Sequence, residues 1–559
     1  MTHTPAPNPP TVAGLGRPAT SGVGDELSTD VLVVGGGLGG VAAALAALEA
    51  GCRVVLTEEY RWLGGQLTSQ AVPLDEHSWI EQFGATARYR RLREGIRDYY
   101  RQHYPLTERA RAERYLNPGN GLVSRMCAEP AVGAAVLEQM LAPHRTSGRL
   151  VVLQPAVPVS ADVDGDLVRA VTLRLTESNR QVSVAARYVL DATELGDLLP
   201  MTGAEYVTGF ESRHETGEPS APEEAQPDNQ QAFSWCFTVD HVDGEDHTID
   251  PPSDYAQWRA KQPDYWGAPM ISLTAPDPRT LEISTRTFTP HPAPRTGAVA
   301  DQAKDPGDSE LWTFRRIIDR TNFTPGTFAS DVVLVNWPMI DYLDGTLVDV
   351  TAEESERHQA AARRQSLSML YWLQTEAPRP DGGTGFPGLR LRGDLTGGPD
   401  GLAMAPYIRE SRRLRTVGRV TENDLSIAVK GHGRPFTTPD SVGIGMYRVD
   451  LHPSSGGDNY VDVASTPFEI PLGVLLPRRM RNLLPAGKNI GTTHITNGAF
   501  RLHPTEWNIG EASGALAAYC LHRGIEPRTV RESSSDLHDY QTLLTRDGVE
   551  LHWPDVVGY

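Results

Sequence analysis

Apolar and polar positions change period several times along this chain, and the changes mark its elements. Residues 30–34 (DVLVV) form a short β-branched run between an acid and glycines, the pattern of a buried parallel strand. The run passes at once into GGGLGG and then VAAALAALEAG, whose alanines and leucines repeat at helical spacing. Gly51 is placed to close that helix as a left-handed C-cap, and RVVL at 53–56 supplies a second strand that stops at Thr57-Glu58-Glu59. A strand, helix, strand unit is therefore complete by residue 59.

From about 75 to 148, Arg, Glu and Tyr recur with helical spacing, and LNPGNG at 116–121 divides two helical stretches. Strand character returns at 150–153, 170–175 and 186–190, with DVDGD at 162–166 as a turn; the last strand runs into DATELGD. Composition then shifts to a Pro/Glu/Gln-rich loop, aromatic segments and a helical stretch at 352–375. The glycine-rich run 381–401 reads as a loop, and APYIRESRRLR begins a return toward the first domain. A strand, a glycine-studded loop and an alanine-rich helix ending at Gly524 close the pattern. The organisation expected is a flexible tail at 1–27, a first nucleotide-binding part at 28–204 with a helical insertion at 75–148, and a mixed α+β substrate domain at 205–400. A second nucleotide-binding part follows at 401–530, then an extension at 531–559. A chain of 559 residues exceeds one core and fits two or three domains.

Composition narrows the partners. The net charge of −19 argues against a chain built to neutralise nucleic-acid phosphates. Cys52, Cys127, Cys236 and Cys520 lie far apart with no C-x-x-C pair, so neither a zinc signature nor a disulfide framework is present, and free thiols in a reducing cytoplasm are expected. The first residues lack a basic start followed by an apolar run, which disfavours a secretory signal. The most apolar stretch, 31–50, is broken by glycines and disfavours a membrane span.

The chemistry begins at Gly35-x-Gly37-x-x-Gly40. A tight turn, close approach of backbone to a pyrophosphate, and tight helix packing each require a glycine there, and the helix N-terminus around Leu38 and Gly39 offers unpaired N–H groups to an anion. Ala43, Ala44 and Ala47 keep the helix slim. Glu58, 23 positions after Gly35, stands where a carboxylate accepts hydrogen bonds from both ribose hydroxyls, with Glu59 beside it. The order strand, turn, helix, strand, acid predicts dinucleotide binding. Gly64, Gly65 and Gln66 in the LGGQ run shortly after the acid favour FAD over NAD, because a second glycine pair suits a chain running on along the flavin half.

Four segments, VLVVGGGLGGVAAALAALEAG, the LGGQLT run after Glu58, YVLDATELGD, and the C-terminal blocks APYIRESRR and AGKNIGTTHITNGAFRLHP, resemble the FAD-dependent oxidoreductases of the glutathione-reductase-like fold. The resemblance implies an α/β fold with a two-dinucleotide-binding, Rossmann-like FAD domain assembled from both ends of the chain. It implies FAD held by Glu58 at the adenosine ribose, Val157 by backbone contact to adenine, and Ala192 and Thr193 after Asp191 near the adenosine half. Glu194 stands where the family has a glycine. Gly487 and Asn489 occupy the segment that reaches the ribityl chain, although the family's acid is missing there. The helix starting near Thr505, with Asn508, is expected to aim its N-terminus at the flavin, where negative charge accumulates on reduction.

Flavin oxidation of a C–H bond needs an approach to the flavin and a base or anchoring cation. His494, Arg501 and His503 lie in the loop expected to face the ring, and Arg409 precedes Glu410 in YIRESRR; each also has a structural reading as a hydrogen-bonded or ion-paired residue. His77 and His432 are weaker candidates. No second G-x-G-x-x-G marks an NAD(P)H domain. The leading expectation is a dehydrogenase or oxidase of a small molecule, with O2 or another acceptor reoxidising the flavin. The alternatives are a monooxygenase drawing on NAD(P)H, and a non-catalytic flavin-binding scaffold.

Overall fold

The computed structural model describes residues 25–292 and 309–559. Most of the expected tail therefore lies outside the described residues, but Glu26 and Leu27 already belong to the first strand.

Strand β1 (Glu26–Val34) is fully buried over Val31–Val34, as a central parallel strand covered on both faces must be. Helix α1 (Leu38–Glu49) follows, closed by Gly51 at φ +97°. Strand β2 (Val54–Thr57) lies parallel to β1. The inserted segment holds α2 (Ala87–His103), α3 (Glu108–Ala112) and α4 (Pro130–Thr146), with LNPGNG between the last two. The charged pattern of α2 has a physical reason. Buried Arg93 donates to Glu76 at 2.8 Å and Glu81 at 2.6 Å, so the inward-facing arginines pack as ion pairs, while Arg91 stays exposed.

Strands β3 (Leu150–Leu153), β4 (Ala156–Asp164), β5 (Leu167–Leu175) and β6 (Arg180–Asp191) complete one sheet, in the order β3-β2-β1-β6-β5-β4. The hairpin turn sits at Gly165, so most of DVDGD is strand. Twelve-residue β6 serves two partners on one edge: its first half pairs antiparallel with β5, and its last residues pair parallel with the strand Leu483–Pro485. A segment from the far end of the chain thereby completes the parallel set.

That return is fixed by a second contact. Helix His503–Arg523 lies against α1 so closely that a Cβ on Gly510 would meet the Gly39 carbonyl at 1.9 Å, and one on Gly514 the Ala43 carbonyl at 2.1 Å. Small residues on both helices allow backbone to touch backbone. The last residues are packed as well, with Tyr540 donating to the Ala512 carbonyl at 2.7 Å and Trp553 to the Phe468 carbonyl at 3.0 Å.

Residues from the middle of the chain form a four-stranded antiparallel sheet, in the order Arg316–Ile318, Val332–Val335, Phe237–His241, Leu389–Leu391. The last of these corrects the reading of 381–401 as a loop. Three residues of strand are too few to show a period among glycines, and the strand is held by Arg390 and Arg392, which clasp Asp240 at 2.7 and 2.9 Å. The helix Ala352–Thr375 stands where its spacing predicts, is opened by a Thr351–Glu354 capping box and packs against the helix Tyr255–Ala260. Among the described residues no helix is long and apolar enough to cross a membrane, and the four cysteines are free and buried.

The α1 contact gives a direct test. Gly514→Val, measured by chemical denaturation, is expected to lose at least ~1–3 kcal/mol of stability through overpacking against the Ala43 carbonyl. An unchanged midpoint would show that the two helices are not in backbone contact.

Candidate active site

The carboxyl ends of the parallel strands converge on the N-terminus of α1. Gly35, at φ +99°, donates its N–H to Thr57 Oγ1 at 3.1 Å, and a Cβ there would strike the Ala192 carbonyl at 2.3 Å. Glu58 accepts from the N–H groups of Gly36 at 2.9 Å and Tyr60 at 2.8 Å. The N–H of Gly64 donates to the Gly36 carbonyl at 2.7 Å, which lays the LGGQ run beside the first glycine turn.

Gly35, Thr57, Glu58 and Tyr60 line an open cleft together with Gly37, Glu59, Gly65, Val157, Ala192, Thr193 and Glu194. Ten of the expected cofactor positions thus meet here or immediately behind it: the four turn glycines, Glu58, Glu59, Gly65, Val157, Ala192 and Thr193. Asp191, fully buried behind the lining residue Thr193, accepts from Thr193 N–H at 3.0 Å and Thr193 Oγ1 at 2.7 Å; burial lifts its carboxyl to about 7.

The cradle contains two further acids and a cation. Glu506 Oε1 accepts from Gly39 N–H at 3.3 Å, and Glu506 Oε2 is bonded to Gln66, whose amide also reaches the Arg501 carbonyl at 3.0 Å. Glu194 lies over Gly37 and Gly65 and pairs with buried Lys488. Burial raises the Glu506 carboxyl, with Lys488 opposing. Sequence reasoning missed Lys488 and Glu506: Lys488 sits between two named candidates, and Glu506 next to Thr505. Among the described residues Asn489 Oδ1 and Thr505 Oγ1 are buried without hydrogen-bond partners, while Asn489 Nδ2 holds the Asp191 carbonyl at 3.0 Å. Gly487 leaves open space, with no neighbour closer than 4.0 Å to an added Cβ. Asn508 is instead engaged with the strand Ser441–Gly445, at Val442 and Ile444.

Each of the four residues proposed to react is engaged by protein partners, and Arg409 and Arg501 share one, Tyr407. His494 bonds Glu410 at 2.8 Å, takes Glu211 on its backbone N–H at 3.0 Å and stacks on Phe210, within a buried network that includes Arg413. Arg409 pairs with Asp341 at 3.0 Å rather than with Glu410. His503 accepts the N–H of Asp75 at 3.0 Å, and burial drops it to about 3, so it stays neutral. Arg501 binds Tyr407 Oη at 3.0 Å and Asp450 at 3.1 Å. His77 rests edge-on to Trp553, and His432 is exposed.

A second cavity opens where Asp75 and Asp450 reach away from His503 and Arg501. Its walls include Phe314, Arg315, Trp337, Tyr447, His452 and Tyr460. There His452 Nδ1 meets buried Asp341 Oδ2 at 2.5 Å, and Asp341 is held in turn by Arg409 and Ser234. Arg409 and His452 keep the Asp341 carboxyl below its usual range despite burial; burial and Arg409 lower His452. No short-range signal marks this pair, whose members stand 111 residues apart.

Burial lifts the Glu58 carboxyl to about 8, with Glu59 and Glu194 adding repulsion. A carboxyl raised in the folded state favours folding below its ordinary value near 4.5, and that contribution is lost as pH rises through about 8. In the ligand-free protein, Glu58→Gln is therefore expected to flatten the fall of unfolding free energy between pH 5 and 8.5. Equal slopes for both proteins would contradict the burial of this charge.

Among solved structures the chain is similar to an L-proline dehydrogenase from P. horikoshii, at 14% identity over 33% of this chain and 24% of that one, with a TM-score of 0.17. It is also similar to the anhydrotetracycline hydroxylase OxyS from Streptomyces rimosus, at 16% identity over 40% and 39%, TM-score 0.22. A third likeness is to a glycerol-3-phosphate dehydrogenase from Bacillus halodurans complexed with FAD, at 14% identity over 38% and 40%, TM-score 0.22. The chain spans between about a quarter and two fifths of the length of these three. No curated protein matches it. The profile of the family described as FAD dependent oxidoreductase matches residues 30–544, nearly the whole chain. The protein belongs to the FAD-dependent oxidoreductase family, with FAD as its cofactor.

Proposed function

We propose that this is a glutathione-reductase-type flavoenzyme that acts as a dehydrogenase or oxidase on a small organic molecule, with residues 205–400 as its substrate domain. The observation that carries the reading is the second cavity, which lies beside the start of helix His503–Arg523 and contains a carboxylate-backed imidazole.

The residues present fit FAD. The glycine turn and the N-terminus of α1 suit a diphosphate, with Lys488 as the cation beside it, and Glu58 suits the adenosine ribose. The unpartnered Asn489 Oδ1 and Thr505 Oγ1 are buried polar atoms that a bound group would satisfy. Glu194 and Glu506 share that cradle, and the raised Glu506 carboxyl limits the negative charge a diphosphate would meet. FAD supplies a two-electron hydride acceptor when bound.

The chain's own contribution is a base. His452, held neutral by burial and by Arg409, keeps its Nδ1 against Asp341, which fixes the ring and stabilises the charge gained on taking a proton from a substrate hydroxyl or amine. Asp341 is positioned by Ser234 at 2.5 Å and by Gln365, which donates to its backbone carbonyl at 3.0 Å.

Two experiments test the reading. The wild-type protein is expected to carry FAD, whereas Gly37→Val, which pushes a side chain toward Glu194 and Glu506, folds with wild-type circular dichroism and loses the flavin. A colourless wild-type protein that refuses FAD would overturn the flavoenzyme reading. Anaerobic mixing of the holoenzyme with NADPH is expected to leave the flavin oxidised; rapid bleaching would assign the protein to the monooxygenases instead.

A further inference from the structure

We propose that the second cavity takes a small organic carboxylate, anchored by Arg315 against an aromatic wall. The proposal rests on reading that cavity as the substrate site and adds the chemical class of what enters it.

Arg315 lies between the helical turn Leu311–Phe314 and the strand Arg316–Ile318, where its carbonyl accepts the N–H of Leu334 at 2.9 Å. The backbone is therefore fixed. The guanidinium stands 5.0 Å over the Phe314 ring, and its side chain is only 13% exposed. Its Nε and Nη1 atoms are buried and have no hydrogen-bond partner among the described residues. The nearest acid, Asp75, lies 3.9 Å from Nη2, beyond hydrogen-bond reach, and Asp75 Oδ1 is itself unpartnered. Burial raises the Asp75 carboxyl to about 6, with Arg315 and Arg501 opposing.

The other charges around the cavity are engaged. Arg448 is paired with Asp462, Arg501 with Asp450, and Arg286 with the carbonyls of Ala275 and Pro276 at 2.9 and 3.1 Å, and Arg279 is not free either. Asp277 accepts the N–H groups of its own turn. Arg315 is thus a largely buried cation in the cavity wall, with two N–H groups that no described residue satisfies and only a 3.9 Å approach from Asp75, a costly arrangement unless a ligand supplies acceptors. A planar carboxylate matches the parallel N–H pair of a guanidinium. With one such cation and no lysine in the lining, the site suits a monoanion rather than a phosphate ester. Phe314, Trp337 and Tyr460 offer flat apolar surface for the rest of the molecule, and His452 stands in the same cavity for its polar group.

Calorimetric titration of the FAD-loaded protein with benzoate and with its neutral isostere benzamide tests this. Benzoate is expected to bind saturably and benzamide about tenfold more weakly or worse. Arg315→Gln is expected to erase that difference while leaving the flavin absorption spectrum unchanged, and Arg315→Lys to restore part of it. Failure of benzoate to bind, equal binding of both probes, or Arg315→Gln binding benzoate like the wild type would overturn the proposal. Wild-type chain that refuses FAD yet still prefers benzoate would overturn the cofactor reading alone and leave the carboxylate site standing.

Discussion

The backbone contact between α1 and helix His503–Arg523 is the constraint on which the rest of the molecule depends. Gly39 and Ala43 on one helix, and Gly510 and Gly514 on the other, leave room for carbonyls and Cα atoms to touch where any larger side chain would separate them. That contact docks the C-terminal helix onto the first strand-helix unit. It brings Lys488, Asn489 and Thr505 within the neighbourhood of Gly35–Gly40, and it lets Leu483–Pro485 complete the edge of β6. The site is consequently built from segments more than 440 residues apart, and its geometry is a property of the whole fold.

A second theme is the management of buried charge. The cleft at the glycine turn collects Glu58, Asp191, Glu194 and Glu506 around one lysine, and burial drives Glu58 and Asp191 toward their neutral forms. The second cavity sorts its charges differently: Asp341 is held ionised by Arg409 and His452, while Arg315 is left without a hydrogen-bonding partner among the described residues. One region suits an anion held by backbone N–H groups and a lysine, the other an acid held by a guanidinium beside a base. Two neighbouring sites with different electrostatics fit a cofactor and a substrate that must meet.

Local signals made part of this legible in the sequence. The DVLVV strand, the glycine turn, Gly51 as a cap, Glu58 and the helix at 352–375 are each encoded within a few residues, and each stands where the pattern places it. Long-range pairs were not legible. His494 and Arg409 were singled out by their surroundings in the chain, but the first is tied to Glu410 and Glu211 and the second to Asp341, 68 positions away in sequence. The pair of His452 with Asp341, and the unmet guanidinium of Arg315, exist only once distant strands have been packed. The three-residue strand at 389–391 was invisible for a related reason, since its stability comes from Asp240 across the sheet.

The central claim is that both ends of the chain cooperate to hold one dinucleotide. Calorimetric titration of the apo-protein with FAD, and in parallel with FMN, measures this most directly, because FMN lacks the adenosine half that Glu58 and Thr193 are read to hold. The account predicts saturable binding of one FAD per chain and much weaker binding of FMN. Equal affinity for the two flavins would contradict it.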